Sequence, residues 1–288
     1  MTSILLPDST KPAIQHQLMD TLPGVELVRA YYQGFEFEPH VHEDFHIGIC
    51  DFGAQDFMHK GSRYVLAPQR LSLINPDDVH DGKGAVTGNY QVRCLRVSAD
   101  CIARVAELQG QPNRKIFFRG PDIADPFLYN GLLQLHRAME RPGVEPLATD
   151  TQLMLVLSHL IQRYADSPQG ESERSGKGSK QFSTLQRQQL KDYLLADICN
   201  KHRLADLAAL FNLSEYQFLR RFRQSIGMTP HAYLLALRVD CARRSLMQGK
   251  TVSEAAVEAG FYDQSHLVHA FKRRYDLTPS AYQQQVWR

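Results

Sequence analysis

Apolar positions in the last hundred or so residues fall three and four apart, and they do so twice in the same order. Leu204, Leu207, Ala208 and Phe211 set a short helical period that ends at Asn212-Leu213. Ser214 then opens a second helix whose inward side is Phe218, Phe222 and Ile226. Val252, Ala255, Ala256 and Ala259 repeat the first period, Gly260-Phe261 repeats the turn, and Leu267 with Phe271 repeats the second helix. Gly227 and Thr229-Pro230 after the first copy answer to Asp276 and Thr278-Pro279 after the second. The offset is 48 residues before the turn and 49 after it, so the second turn carries one inserted residue. The spacing predicts recognition-type helices over 214–224 and 263–275, joined by a continuous helix over 231–247. A further helix over 186–199 would bury Leu190, Tyr193, Leu194 and Ile198. Two helix-turn-helix units in one chain imply a protein that reads two nearby stretches of DNA groove.

The first half has a different period. Val25 to Tyr31, Phe45 to Cys50, Arg63 to Leu66, Arg70 to Ile74 and Tyr90 to Val97 are short alternating or apolar runs separated by Gly, Pro, Asn and Asp. Such runs predict an antiparallel all-β barrel or sandwich. The period turns helical over 123–141 and 150–164. There Leu128, Leu132, Leu135 and Met139 form one stripe, and Leu153, Leu157, Leu160, Ile161 and Tyr164 another. This helix pair is suited to packing on the barrel or to sharing in a dimer interface. The stretch from Asp166 to Thr184 is rich in Ser, Gly and charge, and reads as a linker. The fold class is therefore two-domain: a β-barrel with a helix pair over 1–165, a linker over 166–184, and an all-α domain with two helix-turn-helix units over 185–288.

Composition supports this division. Residues 185–288 hold 15 Lys and Arg against 9 Asp and Glu, a net of +6, whereas residues 1–184 hold 18 against 22, a net of −4. The positive half contains the helical repeat, as suits a polyanionic partner. No apolar run approaches the roughly 18 to 20 residues that cross a bilayer, and no basic-then-apolar leader opens the chain. A cytoplasmic location without membrane partners is expected. Cys50, Cys94, Cys101, Cys199 and Cys241 lack metal-ligand spacing and are expected to be buried thiols.

Residues 185–288 resemble the DNA-binding domain of the AraC/XylS family of bacterial transcription regulators. The combination of Gly260-Phe261, Phe271-Lys272 and Thr278-Pro279 carries the resemblance. It implies that both recognition helices enter successive major-groove segments of double-stranded DNA. It also implies groove-facing roles for Tyr216, Leu219 and Arg220 in the first helix, and for Gln264, Ser265, Val268 and His269 in the second. At the position of His269 the family more often has arginine. Arg220 is the strongest candidate for a base contact, because a guanidinium pairs bidentately with guanine. Arg221, Arg223, Lys272, Arg273 and Arg274 are candidates for phosphate contacts, with a solvated surface role as the competing reading.

One constellation in the first half has chemical potential. His40, His42 and His46, framed by Gly34 and Gly53, resemble the first motif of the cupin superfamily, with His46 where a glutamate normally stands. His80, after Asn75-Pro76, falls where a shortened second motif would end. The resemblance implies a small barrel with an internal pocket, as in the effector-binding domains of AraC-type regulators. Four imidazoles around one pocket are a donor set for zinc, nickel, copper or iron. Hydrogen bonding to an effector and ordinary packing at the barrel mouth are the alternatives, so no cofactor is fixed beyond a candidate divalent metal.

Arg29, Tyr31 and Phe45, with Phe35 and Asn75, are further pocket candidates placed by strand parity, and they suit a small polar or anionic effector. Residues 1–20 resemble an arm able to close over a ligand, a disordered tail being the alternative. The coherent reading is a non-enzymatic, effector-responsive activator of metabolic or transport genes, acting as a homodimer and contacting RNA polymerase. The rivals are a metal-binding cupin sensor and a metal-dependent cupin enzyme fused to a DNA-binding domain.

Overall fold

The computed structural model describes residues 13–286 apart from 20, 87, 113–114, 142, 144 and 167–180. The chain divides into two compact units. One comprises residues 1–36, 43–77 and 81–167, and the other comprises 37–42, 78–80 and 168–288.

The β-rich part contains β1 (Ile14–Leu18), β2 (Val25–Gln33), β3 (Phe37–His40), β4 (Phe45–Phe52), β5 (Gln55–His59), β6 (Ser62–Leu66), β7 (Leu71–Ile74), β8 (His80–Gly84) and β9 (Asn89–Val97). Short strands β10 (Phe117–Phe118), β11 (Asp122–Ile123) and β12 (Ala165–Asp166) follow. One sheet has the order β1-β2-β9-β4-β7-β11, a second β3-β8-β5-β6, and β10 pairs with β12. All five strands expected from the sequence are present. β1 is an addition: it pairs antiparallel with β2, Ile14 opposite Ala30, so residues 14–18 are an ordered edge strand rather than a free arm. Met19 of the expected arm is buried in the core, and residues 1–12 and 20 lie outside the described residues.

The register of the six-stranded sheet decides which side chains share a face. Leu27 lies opposite Leu95 and Leu95 opposite Ile47, and one position away Glu26 lies opposite Arg96 and Arg96 opposite His46. Strand side chains alternate faces, so these two rows point to opposite sides of the sheet. The Leu27 row, with Val25, Phe45, Ile49, Leu71, Leu73 and Val97, forms one core with α1 (Ala99–Leu108), α2 (Pro126–Met139) and α3 (Pro146–Tyr164). Leu128, Leu132, Leu135, Leu153, Leu157 and Leu160 are fully buried in it, as the two apolar stripes require. Each such leucine contributes about 1.5–3 kcal/mol. Asp125 caps α2, its carboxylate accepting from Leu128 N at 3.1 Å.

The helical unit contains α4 (Thr184–Ala196), α5 (Leu204–Ala209), α6 (Glu215–Ile226), α7 (Pro230–Met247), α8 (Val252–Glu258), α9 (Gln264–Tyr275) and α10 (Pro279–Val286). Its starts are chemically marked. Ser183, Ser214 and Thr251 each form a capping box, with Gln186, Gln217 and Glu254 reaching back to the cap backbone, and Pro230 occupies the first turn of α7 after Thr229. Leu190, Leu194, Leu207, Phe218, Phe222, Tyr233 and Leu237 form one apolar cluster, which also takes in Phe182 and Val41. Phe182 and the Ser183 cap thus belong to the folded unit, which shortens the expected linker at its C-terminal end. Most of the linker lies outside the described residues. Tyr193, expected inside, is exposed instead, and Lys191 is buried beside Leu190.

Candidate nucleic-acid interface and histidine cluster

The two helix-turn-helix units share their backbone punctuation, allowing for the one inserted residue. Asn212 has φ 52° where the second copy has Gly260 at φ 73°, and Gly227 has φ 87° where the second copy has Asp276 at φ 54°. These are the positions where the chain must turn left-handed out of a helix, which Gly, Asn and Asp tolerate best. Ser214 and Asp263 cap the following helices, Asp263 accepting from His266 N at 2.7 Å. In both copies the buried side of the second helix is aromatic or aliphatic: Phe218 and Phe222 in α6, Leu267 and Phe271 in α9.

The opposite sides of α6 and α9 face outward. Tyr216, Arg220 and Arg223 are exposed on α6, as are Gln264, Ser265, His269, Lys272 and Arg273 on α9, while Leu219 and Val268 are half-buried. The ten residues expected to meet DNA therefore lie on the two helices the repeat singles out. Two of the neighbouring basic residues are engaged within the unit. Arg221 lies over the Phe182 ring at 5.8 Å, and Arg274 Nη2 donates to Val41 O at 2.8 Å. Arg273 pairs with Glu38.

One exposed side chain escaped the residue reading. Tyr262, 93% exposed and immediately before the cap of α9, occupies the inserted position of the second turn. The change of offset from 48 to 49 was the signal for it.

Of the four histidines, three converge. The candidate ligand atoms of His40, His42 and His80 all lie within 4.8 Å of one another. His42 Nε2 and His80 Nε2 are 3.3 Å apart, and the His40 and His80 rings are 4.2 Å centroid to centroid. His46 is not one of the group: its Nε2 accepts from Arg96 Nε at 2.9 Å. The expected four-histidine set is corrected to three.

Strand register separates the pocket candidates from His46. Arg29, Tyr31 and Phe45 lie on the face opposite to His46. Arg29 Nε donates to Gln15 Oε1 at 3.1 Å and lies 3.8 Å from Glu140, beyond the end of α2, while Phe45 packs edge-on against Phe118 at 5.1 Å. Asn75 is tied to Phe118 through both backbone groups. The face that His46 shares carries Glu26 and Arg96 instead. Arg96 Nη1 donates to Glu26 Oε2 at 3.4 Å, His16 Nδ1 lies 2.7 Å from Glu26 Oε1, and Asp44 is 3.8 Å from Arg96. Glu26, Arg96 and His16 are buried, so a charged, hydrogen-bonded row lines this side of the sheet.

The thiols follow expectation in part. Cys50 and Cys101 are buried, and desolvation pushes the Cys50 thiol up to about 12, but Cys199 is exposed. Among the described residues no helix is long and apolar enough to cross a membrane.

A β-rich domain joined to two capped helix-turn-helix units defines a two-domain DNA-binding regulator. Comparison with known proteins places it further. Residues 22–176 match the profile of the AraC-like ligand binding domain, and residues 207–285 match that of a helix-turn-helix domain. The uncharacterized HTH-type transcriptional regulator YbfI of Bacillus subtilis is 27% identical over 81% of this chain and 82% of its own. The HTH-type transcriptional activator RhaS of Citrobacter koseri is 22% identical over 84% of this chain and 86% of its own. Among solved structures, ToxT from Vibrio cholerae O395 shares the fold with a TM-score of 0.55 at 13% identity, covering 92% of this chain and 98% of that one. The chain belongs to the AraC family of helix-turn-helix transcription regulators, with an N-terminal ligand-binding domain.

Proposed function

We propose that the protein is an effector-responsive activator that works by binding, without catalytic turnover. In this reading α6 and α9 enter successive major-groove segments. Arg220 reads bases, with Tyr216, Leu219, Gln264, Ser265, Val268 and His269 lining the groove, and Arg223, Lys272 and Arg273 set register on the phosphates. The observation that carries it is the matched pair of capped, left-handed turns, which holds two outward polar helix faces on one all-helical unit. A homodimer would double these contacts on adjacent half-sites, and effector binding would bias that arrangement through different affinity for two states. Contact with RNA polymerase in the cytoplasm would complete activation, in keeping with the activator RhaS among its relatives.

The row of buried Glu26 and Arg96 with half-buried His46 supports a small polar or anionic effector, since its guanidinium, carboxylate and imidazole offer both donors and acceptors largely away from water. The test is selection of bound fragments from genomic DNA by the full chain, followed by a metabolite screen for shifts in affinity for those fragments. Enrichment of a shared sequence and a change with one metabolite class are expected. Recovery of random fragments at low ionic strength would refute sequence reading.

A further inference from the structure

We propose that His40, His42 and His80 form a binding site for a zinc-class divalent metal ion, and that filling it holds β3 against the second recognition helix and weakens DNA binding. The coupling rests on the DNA-binding reading above; the metal site does not.

The donor geometry carries the first half. Two ligand nitrogens on a tetrahedral zinc, each about 2.05 Å from the metal, are about 3.3 Å apart. His42 Nε2 and His80 Nε2 stand at 3.3 Å. His40 and His80 have their tautomers set by the backbone. His40 Nδ1 lies 2.6 Å from Glu38 O and His80 Nδ1 3.0 Å from Asp78 O, and a carbonyl can only accept, so both Nδ1 atoms carry the proton. With Nδ1 protonated, the lone pair of each neutral ring sits on Nε2; that of His80 faces His42 Nε2 at 3.3 Å and would exchange this contact for a metal, and the carbonyls orient the rings as outer partners of a metal site do. His42 is buried and the other two are half-buried, which leaves a path for the ion. Three imidazoles leave a fourth position for water or an effector group.

The second half follows from what the same short segment holds. Glu38, whose carbonyl orients His40, pairs through its carboxylate with Arg273 of α9. Val41, between the two histidines, accepts from Arg274 Nη2 at 2.8 Å and is buried in the apolar cluster of the helical unit. All these residues belong to one compact unit. Tying His40 and His42 to His80 through a metal fixes this segment, and a fixed Glu38 competes with DNA phosphate for Arg273. By linkage, DNA must weaken metal binding by the same factor.

The test uses the chelator-stripped full chain. Titration with Co2+ is expected to give a one-equivalent visible spectrum of tetrahedral nitrogen coordination, displaced by Zn2+. His40→Ala and His80→Ala, at half-buried positions, should each lower Co2+ affinity at least about 10-fold, while His46→Gln should not. A thiolate-to-cobalt band, or equal affinity in all variants, overturns the site.

Zn2+ should then raise the dissociation constant for a labelled duplex of about three helical turns (~30 base pairs) by about 5-fold or more. Glu38→Gln should keep the cobalt spectrum and lose that difference. Unchanged or tighter DNA binding with Zn2+ overturns the coupling. DNA affinity of the metal-free chain is measured in the same series, so failure of the regulator reading would show separately.

Discussion

Gly260→Ala tests the proposition that the second helix-turn-helix is held at a single close backbone contact. At φ 73° an alanine is in the left-handed region, which costs about 1–2 kcal/mol. A Cβ there would also stand 2.6 Å from Cys199 Cα and 2.6 Å from Ile198 O, both backbone atoms that cannot swing aside. Arg238 anchors that same segment, donating to Ile198 O at 3.0 Å, so the loop after α4 cannot retreat without losing the bond. Overpacking of this kind adds about 1–3 kcal/mol, for a total of about 2–5. A domain is worth only about 5–15 kcal/mol in all.

Gly227→Ala is the internal comparison. It has the same sign of φ, at 87°, but its nearest contact would be Val79 Cγ1 at 3.7 Å, an ordinary distance, so only the conformational cost of about 1–2 kcal/mol applies. In urea unfolding followed by far-UV circular dichroism, with slopes of about 1–3 kcal/mol per molar, Gly260→Ala should have its helical midpoint roughly 1 M below Gly227→Ala. Hydrogen exchange should locate the loss in α8 and α9. Equal midpoints for the two variants would refute the claim that backbone proximity, and not φ alone, fixes this position.

Three further outcomes are expected. Arg220→Ala should reduce discrimination between a selected site and a scrambled one by about 1–3 kcal/mol, whereas Arg273→Ala should weaken both alike and flatten the salt dependence; parallel losses in both variants would contradict these roles. Tyr262→Ala should weaken duplex binding with folding unchanged, since the ring is 93% exposed beside the start of α9; unaltered affinity would remove it from the interface. His136 is held down to about 3, first by burial and then by Arg93, with Glu140 opposing. The unfolded chain therefore takes up this proton first, and stability should fall by about 1.4 kcal/mol per unit as pH drops below about 6.5, until about 3 is reached. His136→Phe should show a shallower decline over pH 6.5 to 5 in the same denaturation assay, and an unchanged slope would count against a neutral buried imidazole.

The helical half was legible because a period of 3.6 with marked ends leaves little freedom. Ser214 and Thr251 announce starts, Asn212 and Gly260 announce turns, and Phe218 with Phe222 or Leu267 with Phe271 select the buried face. Where it failed, at Tyr193, the period was right but the helix is packed on one narrow side, so a position at its margin was misplaced. Strands β1, β3, β5 and β8 and helix α1 went unread. His80 to Gly84 has two glycines and no apolar residue, whereas Ala99 to Leu108 did carry a readable start, the Ser98 cap with Asp100 in the first turn, of the same kind as Ser214.

The pocket was the harder problem, and β2 shows why. Seven of its nine residues, Val25 through Ala30 and Tyr32, are buried, because the sheet is covered on both faces. Alternation marks a face only when the other is wet. Here Glu26 and Arg29 are both charged, both buried and on opposite sides, and nothing in the strand itself tells which side carries the ligand. The distinction comes from partners on other elements: Arg96, itself bonded to His46, and His16 for Glu26, Gln15 and Glu140 for Arg29. A guanidinium pinned near the end of α2 ties helix to sheet, whereas the one bonded to His46 stands on the face turned away from the helices. Parity within β2 was readable, but its origin was not, and a one-residue shift in origin exchanges every residue of the proposed effector face for one packed on the helices.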